Sequence, residues 1–256
     1  MQRFRSLAFA AALALAAPAA SLAAGGGPAP PAQSWSFGGL FGTFDRASAQ
    51  RGFQVYKEVC AACHAMKQLA YRNLADIGLS DAEIRAIAAD IQVTDGPNDD
   101  GEMFERPGRP SDRFRSPFPN EKAARAVNNG AYPVDLSLII KARPHGADYL
   151  YALLTGFRDE PPPGVPVMEG MHYNEWFPGH WIAMARPLND DQVVFADGTP
   201  ATTSQMARDV ATFLAWAAEP ELEQRRAMGV RAILFLIVLA GMTYAVKRKV
   251  WADLKH

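Results

Sequence analysis

Cys60-Ala61-Ala62-Cys63-His64 contains both cysteines of the 256-residue chain, and a histidine follows the second directly. Two thiols at this spacing can add to the two vinyl groups of one porphyrin, and the turn then brings His64 beneath the iron as proximal ligand. The stretch therefore reads as the covalent attachment site of one haem c. A structural zinc site would ask for four ligands, and no second Cys-x-x-Cys or His-x-x-x-His accompanies the first. A thioredoxin-like redox pair would lie in a βαβ pattern, whereas the flanks here have helical period.

Upstream, Ala49, Phe53, Tyr56 and Val59 fall one helical turn apart from Asp45 onward, so a helix runs into the motif. Downstream, Ser80-Asp81-Ala82-Glu83 is a capping box followed by the stripe Ile84, Ile87, Ala88 and Ile91. Thr94 to Pro119 is rich in Gly, Pro and charge, with Asp95, Asp99, Asp100, Glu102 and Glu105, and is expected to be a solvated surface loop, a docking surface being the alternative. Asn120 caps a short helix to Asn128 that Gly130 ends. A further helix covers His145 to Phe157, with Leu150, Leu153 and Leu154 inward. The stretch from Val165 to Pro187 has no regular period. Thr202-Thr203-Ser204-Gln205 is read as a second capping box, opening a helix that buries Met206, Val210, Phe213, Leu214 and Ala217. The one expected hairpin lies near Val193 to Thr199. This order, a helix into the motif and a helix closing the domain, is similar to that of cytochrome c folds. The fold class is mainly α, a cytochrome c-like haem domain with inserted loops plus one C-terminal transmembrane helix.

The two ends carry instructions of their own. Arg3 and Arg5, an apolar run from Leu7 to Ala17 and small residues around Ser21-Leu22-Ala23 describe a signal peptide over residues 1–23. Met228 to Val246 is almost wholly apolar, long enough to cross a hydrocarbon core, and Lys247-Arg248-Lys249 follows at once. By the positive-inside rule the C-terminus is cytoplasmic. The expected order is a periplasmic haem domain over 24–224, a span over 225–248 and a tail over 249–256 in a bacterial inner membrane. Residues 24–224 carry 17 basic and 26 acidic side chains, a net −9. Such a domain attracts basic partners and not nucleic acid.

The second axial ligand separates an electron carrier from a haem that binds substrates. Met168, Met171, Met184, His145, His172 and His180 are the candidates. Met184 is the best placed, in an apolar loop ahead of the closing helix.

Cys60 to His64, Asn128-Asn129-Gly130-Ala131-Tyr132-Pro133, Lys141-Ala142-Arg143, Asp148-Tyr149, Leu154-Thr155-Gly156, Ile182-Ala183-Met184-Ala185, Asp197-Gly198-Thr199-Pro200-Ala201-Thr202 and Trp216-Ala217-Ala218-Glu219-Pro220 occur in this order. With the single C-terminal anchor, the chain resembles the cytochrome c1 family, the haem subunits of quinol–cytochrome c oxidoreductase. The resemblance runs from about Trp35 to the end. It implies His64 and Met184 as axial ligands and thioethers from Cys60 and Cys63. It also places Arg143 and Tyr149 at the haem propionates, with Asn128, Phe177 and Ile182 lining the pocket. The partners it implies are cytochrome b, a Rieske iron–sulfur protein and a soluble or tethered cytochrome c, in a dimeric complex in the membrane. The alternative is a free-standing membrane-anchored cytochrome c or an oxidase subunit. The sequence departs from the family pattern at Val134 and Arg186, where prolines are expected, and it has no cysteines for a disulfide near the ligand loop.

Overall fold

A computed structural model describes residues 27–252. The expected signal segment and the last four residues of the tail lie outside the described residues. Helix α1 (Arg46–Glu58) starts where Asp45 accepts the Ser48 backbone N–H and buries Ala49, Phe53, Val55 and Tyr56. A 3-10 turn (Cys60–Ala62) follows after one residue, so the motif hangs directly on the end of α1. A second 3-10 segment spans Tyr71–Ile77. Helix α2 (Asp81–Ala89) is opened by a reciprocal capping box between Ser80 and Glu83; Ile84 and Ala88 are buried beneath it.

Two strands then appear where a loop was expected. Strand β1 (Gln92–Asp95) pairs antiparallel with β2 (Phe104–Pro107), Asp95 opposite Phe104 and Gln92 opposite Pro107. Helix α3 (Glu121–Val127) is capped by Asn120, whose side chain accepts the Ala123 N–H at 2.9 Å. One short turn, α4 (Ile139–Ala142), leads into α5 (Gly146–Thr155). His145 stands outside α5 as its N-cap with φ +64°, so the helix starts after the expected residue. A minimal ribbon, β3 (His172–Tyr173) against β4 (Trp181–Ile182), interrupts the stretch expected to be irregular. The expected hairpin at Val193 to Thr199 is absent; that segment is turns and bends.

Helix α6 (Thr203–Ala218) closes the domain. Thr202 caps it by accepting the Gln205 N–H at 3.2 Å, but the Gln205 side chain turns to Asp209, so the box is not reciprocal. Helix α6 lies across α1, and α5 packs on its other flank. Gly52 is what lets the α1–α6 crossing be so close, because a Cβ there would stand 2.0 Å from the Asp209 carbonyl oxygen. The crossing is filled by Phe53, Tyr56, Phe114 and Phe213, whose rings lie 5.6–6.0 Å apart in four pairs. Asp209, fully buried, is satisfied by Ser48 Oγ at 2.7 Å, Arg51 Nε at 2.8 Å, Arg51 Nη2 at 3.1 Å and Gln205 Nε2 at 3.0 Å. A buried carboxylate needs such a set to offset the loss of water.

The N-terminal arm is strapped over this core. The Trp35 indole donates to Asp148 at 2.6 Å and stacks on Phe37, and the Arg208 guanidinium lies 5.2 Å from the Trp35 ring. After Glu219-Pro220-Glu221, helix α7 (Leu222–Val250) leaves the domain. It extends beyond the expected span at both ends. At 1.5 Å per residue it is roughly 43 Å long, enough to cross a bilayer. Its apolar side chains, Ile233 to Val246 among them, are exposed, which is the pattern of a lipid-facing helix and not of a core helix. Helix α7 anchors the chain to a membrane.

Candidate functional site

The turn after α1 is tied by Cys63 N–H and His64 N–H, both donating to the Cys60 carbonyl, at 3.1 and 2.8 Å. This puts both thiols and the imidazole on one tight loop. Cys60 is half-buried and Cys63 exposed. Burial, and then the neighbouring Cys63, push the Cys60 thiol up to about 12. A thiol so far from ionised is a poor nucleophile at neutral pH, the opposite of a reactive redox cysteine. Among the described residues no group of three or more His, Cys, Asp and Glu side chains is drawn together as a metal site would need.

His64 is held from two sides. Its Nδ1 lies 2.8 Å from the Val134 carbonyl oxygen, and its own carbonyl accepts the Tyr56 hydroxyl at 3.3 Å. A carbonyl can only accept, so the proton sits on Nδ1 and Nε2 presents a lone pair. Burial holds the His64 pKa below its ordinary value, with the Val134 bond and the Asp135 charge opposing it. The ring is therefore neutral at pH 7, the form that ligates a metal. The segment after α3 also docks through Leu136 N–H to the Ala65 carbonyl at 2.8 Å. The departure at Val134 leaves this arrangement intact, because the acceptor is backbone.

Asn128 lies at the end of α3, and its amide donates to the Ala124 carbonyl at 2.7 Å, back along its own helix. Its helix borders the motif across a cleft of about 200 Å³ lined by Cys63, Ala124, Tyr132 and Pro133 among others. A second cleft, about 330 Å³, opens on the other side of the motif between Ala61, Tyr56, Tyr71 and Phe114. Neither His64 nor Met184 lines either cleft.

Arg143 follows α4 with its guanidinium exposed, bonded among the described residues only to the neighbouring Ala142 carbonyl at 3.2 Å. Tyr149, on the first turns of α5, is buried, and its hydroxyl is raised by that burial against the opposing charge of Arg143. The two are thus electrostatic neighbours.

Met184 lies two residues beyond β4. With Phe177 and Ile182 it packs against the core, half-buried. Of its methionine competitors, Met168 is exposed and Met171 does not join the core. His145 and His172 are exposed, and His180 is stacked on Tyr173 with Nδ1 near the Asn174 carbonyl at 3.2 Å. The segment is fixed by Asn174, fully buried, whose amide donates to the Leu153 carbonyl at 2.7 Å and accepts the Trp176 and Phe177 N–H groups. Arg186 fastens the far side, donating to the Phe157 carbonyl at 3.1 Å and pairing with Asp159 at 2.9 Å. In the sequence Tyr56 reads as one member of the core stripe, and Asn174 carries no periodic signal at all, so neither stands out there as a positioning group; Arg186 shows only as a departure from the family pattern.

A helical domain closed by its first and last helices, with a Cys-x-x-Cys-His turn on the first and a membrane helix after the last, is the architecture of an anchored c-type cytochrome. Comparison with known proteins narrows the class. The model of the Cytochrome C1 family matches residues 35–254. Cytochrome c1 of Rhodospirillum rubrum is 47% identical over 262 residues, covering 96% of each chain. The Candida albicans mitochondrial protein named cytochrome b-c1 complex catalytic subunit is 52% identical over 89% of this chain and 79% of its own length. The Bradyrhizobium diazoefficiens protein named cytochrome b/c1 is 51% identical over 89% of this chain; the match spans 36% of that longer protein. The chain belongs to the cytochrome c1 family.

Proposed function

We propose that this chain carries one covalently attached haem c and relays single electrons within a quinol–cytochrome c oxidoreductase. The observation that carries the proposal is the Nδ1 bond from His64 to the Val134 carbonyl, which fixes the tautomer with Nε2 free to ligate. Cys60 and Cys63 would hold the porphyrin through thioethers, and His64 and Met184 would ligate its iron. Exposed apolar side chains at Val127, Tyr132, Val134 and Leu138, in the segment that meets His64, fit the face of such a group. The haem would supply a reversible one-electron couple.

The protein's own residues do the rest. Val134 orients the imidazole, Tyr56 holds the His64 backbone carbonyl, Asn174 and Arg186 hold the Met184 loop, and Arg143 with Tyr149 would offer a charged fork and a hydroxyl to the propionates. Asn128, Phe177 and Ile182 line the pocket and exclude water. A thioether ligand favours ferrous iron and raises the potential. The donor is a Rieske iron–sulfur protein, the acceptor a soluble or tethered cytochrome c drawn by the net −9 domain, and cytochrome b the membrane partner in a dimeric complex. An N-terminal signal peptide over residues 1–23, as the sequence reads, and the basic run Lys247 to Lys249 support a periplasmic domain and a cytoplasmic C-terminus.

Mild detergent purification followed by redox-resolved spectra tests this reading. A c-type spectrum travelling with b-type haems and a Rieske centre is expected. A Met184→Leu variant should show a potential lower by on the order of 0.1 V or more, within the roughly 0.8 V that axial ligands command, and should bind carbon monoxide. An unchanged potential with no carbon monoxide binding removes Met184 from the assignment.

A further inference from the structure

The N-terminal arm ends in a tight loop that the electron-transfer reading does not use. Thr43 N–H donates to the Ser36 carbonyl at 3.0 Å and closes the loop at its base. At its tip stand Leu40, 63% exposed, and Phe41, 80% exposed. Two adjacent large apolar side chains in water are costly unless something covers them.

The loop is fastened to the first turns of α7, and the fastenings give its direction. Glu223 accepts the Phe44 N–H at 2.7 Å and pairs with Arg46 at 2.9 Å. One turn on, Arg226 donates to the carbonyls of Phe37 and Gly42 at 2.9 and 2.8 Å. Going back along the arm from Phe44 to Gly42 therefore advances along α7 from Glu223 to Arg226, about 4.5 Å at 1.5 Å per residue. Both ends of the loop, Phe37 and Gly42, are held by Arg226, so Phe41 and Leu40, one and two residues beyond Gly42 at up to roughly 3.5 Å each, have the start of the apolar run at Met228, about 3 Å further along α7, within reach. Gly38, Gly39 and Gly42 surround the tip, and Gly39 has φ +67°. Arg226 and Arg231 flank Met228 along α7, and Arg231 is exposed, a cation suited to lipid phosphates.

We propose that the tip Leu40-Phe41 is a second membrane contact, inserted into the interfacial layer of the bilayer that α7 crosses. The occupant is lipid, because the tip is continuous with the lipid-exposed start of α7 and is flanked by cations. Anchored at one helix alone, the domain could tilt about Pro220. With the loop inserted as well, it has two points on the membrane and a defined tilt. The inference rests on α7 as the anchor.

The test uses the full haem-loaded chain with one cysteine introduced as Phe41→Cys or Leu40→Cys and spin-labelled. The parent chain with only its native cysteines is the labelling blank. Samples are reconstituted in vesicles of phosphatidylcholine and phosphatidylglycerol, and accessibility to oxygen and to a water-soluble nickel chelate is measured. Val194→Cys, on an exposed residue of the domain, is the water reference, and Leu236→Cys is the lipid reference. Labels at 40 and 41 are expected to show an oxygen-to-nickel accessibility ratio several-fold above that at 194. A ratio equal to that at 194 overturns the proposal. Protection from both reagents at 40 and 41 that appears only in the assembled complex also overturns it, in favour of a protein partner. If the label at 236 is itself open to the nickel chelate, the anchor reading fails, and the loop proposal falls with it by a separate reading.

Discussion

Replacing Gly52 by alanine sets two effects of opposite sign against each other. Within a helix, Gly→Ala ordinarily stabilises by about 0.5–1 kcal/mol through lost backbone freedom in the unfolded chain. Here the added methyl would stand 2.0 Å from the Asp209 carbonyl oxygen, 2.5 Å from its carbon and 2.8 Å from Phe213 Cβ. An ordinary C···O contact is about 3.3 Å, so α1 and α6 must part by roughly 1.3 Å at the crossing. A gap of 0.5–1 Å already forfeits a quarter to a half of each dispersion contact, and the seam includes Ala49, Phe53 and Phe213. The same movement stretches the bonds from Ser48 and Arg51 to Asp209. Overpacking of a rigid seam costs about 1–3 kcal/mol and more where backbone is struck. The steric effect wins, with an expected net loss of about 3 kcal/mol or more. At roughly 2–4 °C per kcal/mol for a domain of this size, the melting temperature should fall by about 6–12 °C. Thermal unfolding of the detergent-solubilised chain by circular dichroism measures it, with Gly229→Ala as control because a Cβ there meets nothing. A Gly52→Ala variant melting at or above the parent would refute the close-crossing argument.

Asp209→Ala should cost about 3 kcal/mol, since it strands the Ser48 hydroxyl and takes from Arg51 one of its two carboxylate partners, Asp197 being the other, and chemical denaturation reads the loss directly. In the hairpin β1–β2, the Arg106 side chain and then the Arg109 N–H hold Asp112 down to about 2, with burial opposing. A depressed carboxyl contributes stability in full above its unfolded value near 4, and that contribution is lost as pH falls toward 2. Hydrogen exchange over residues 92–107 should therefore quicken between about pH 4 and 2, and an Asp112→Asn variant should shrink that step, leaving the part that Asp95, also held down by Arg106, contributes. Electron delivery to a basic cytochrome c should slow as ionic strength rises, because charges on an exposed surface are screened beyond about 8–10 Å; stopped-flow rates that ignore salt would count against the acidic surface as a guide.

Much of this fold was legible because its signals are local. Asp45, Ser80, Asn120 and Thr202 each cap the helix they precede, and the apolar residues after them fall where burial requires. The apolar run after Met228 could be read by composition alone. The strands could not. Strand β1 and strand β2 are mostly exposed, with no alternating apolar face, and are pinned by Arg106 to Asp95 and Asp112. Val193 to Thr199 has the residues of a hairpin but gives its polar groups to Arg51 and Gln54 of α1 instead. At the candidate site, side-chain chemistry pointed to Cys60, Cys63 and His64. The Val134 carbonyl that orients the imidazole has no signature in any side chain. Asn174 and Arg186 act on backbone carbonyls brought close by tertiary structure, which no spacing along the chain encodes.

The seating of α1 against α6 has a consequence for biosynthesis. The helix that carries the cysteines finds its partner about 160 residues later in the chain. At about 5–20 residues per second, some ten to thirty seconds of synthesis separate the two. Throughout that interval Cys60 and Cys63 belong to an unclosed chain. Residue 218 ends the helix that shuts that window, and the membrane helix begins four residues later. Closure of the domain and arrival of its anchor are thus consecutive events in one reading of the message.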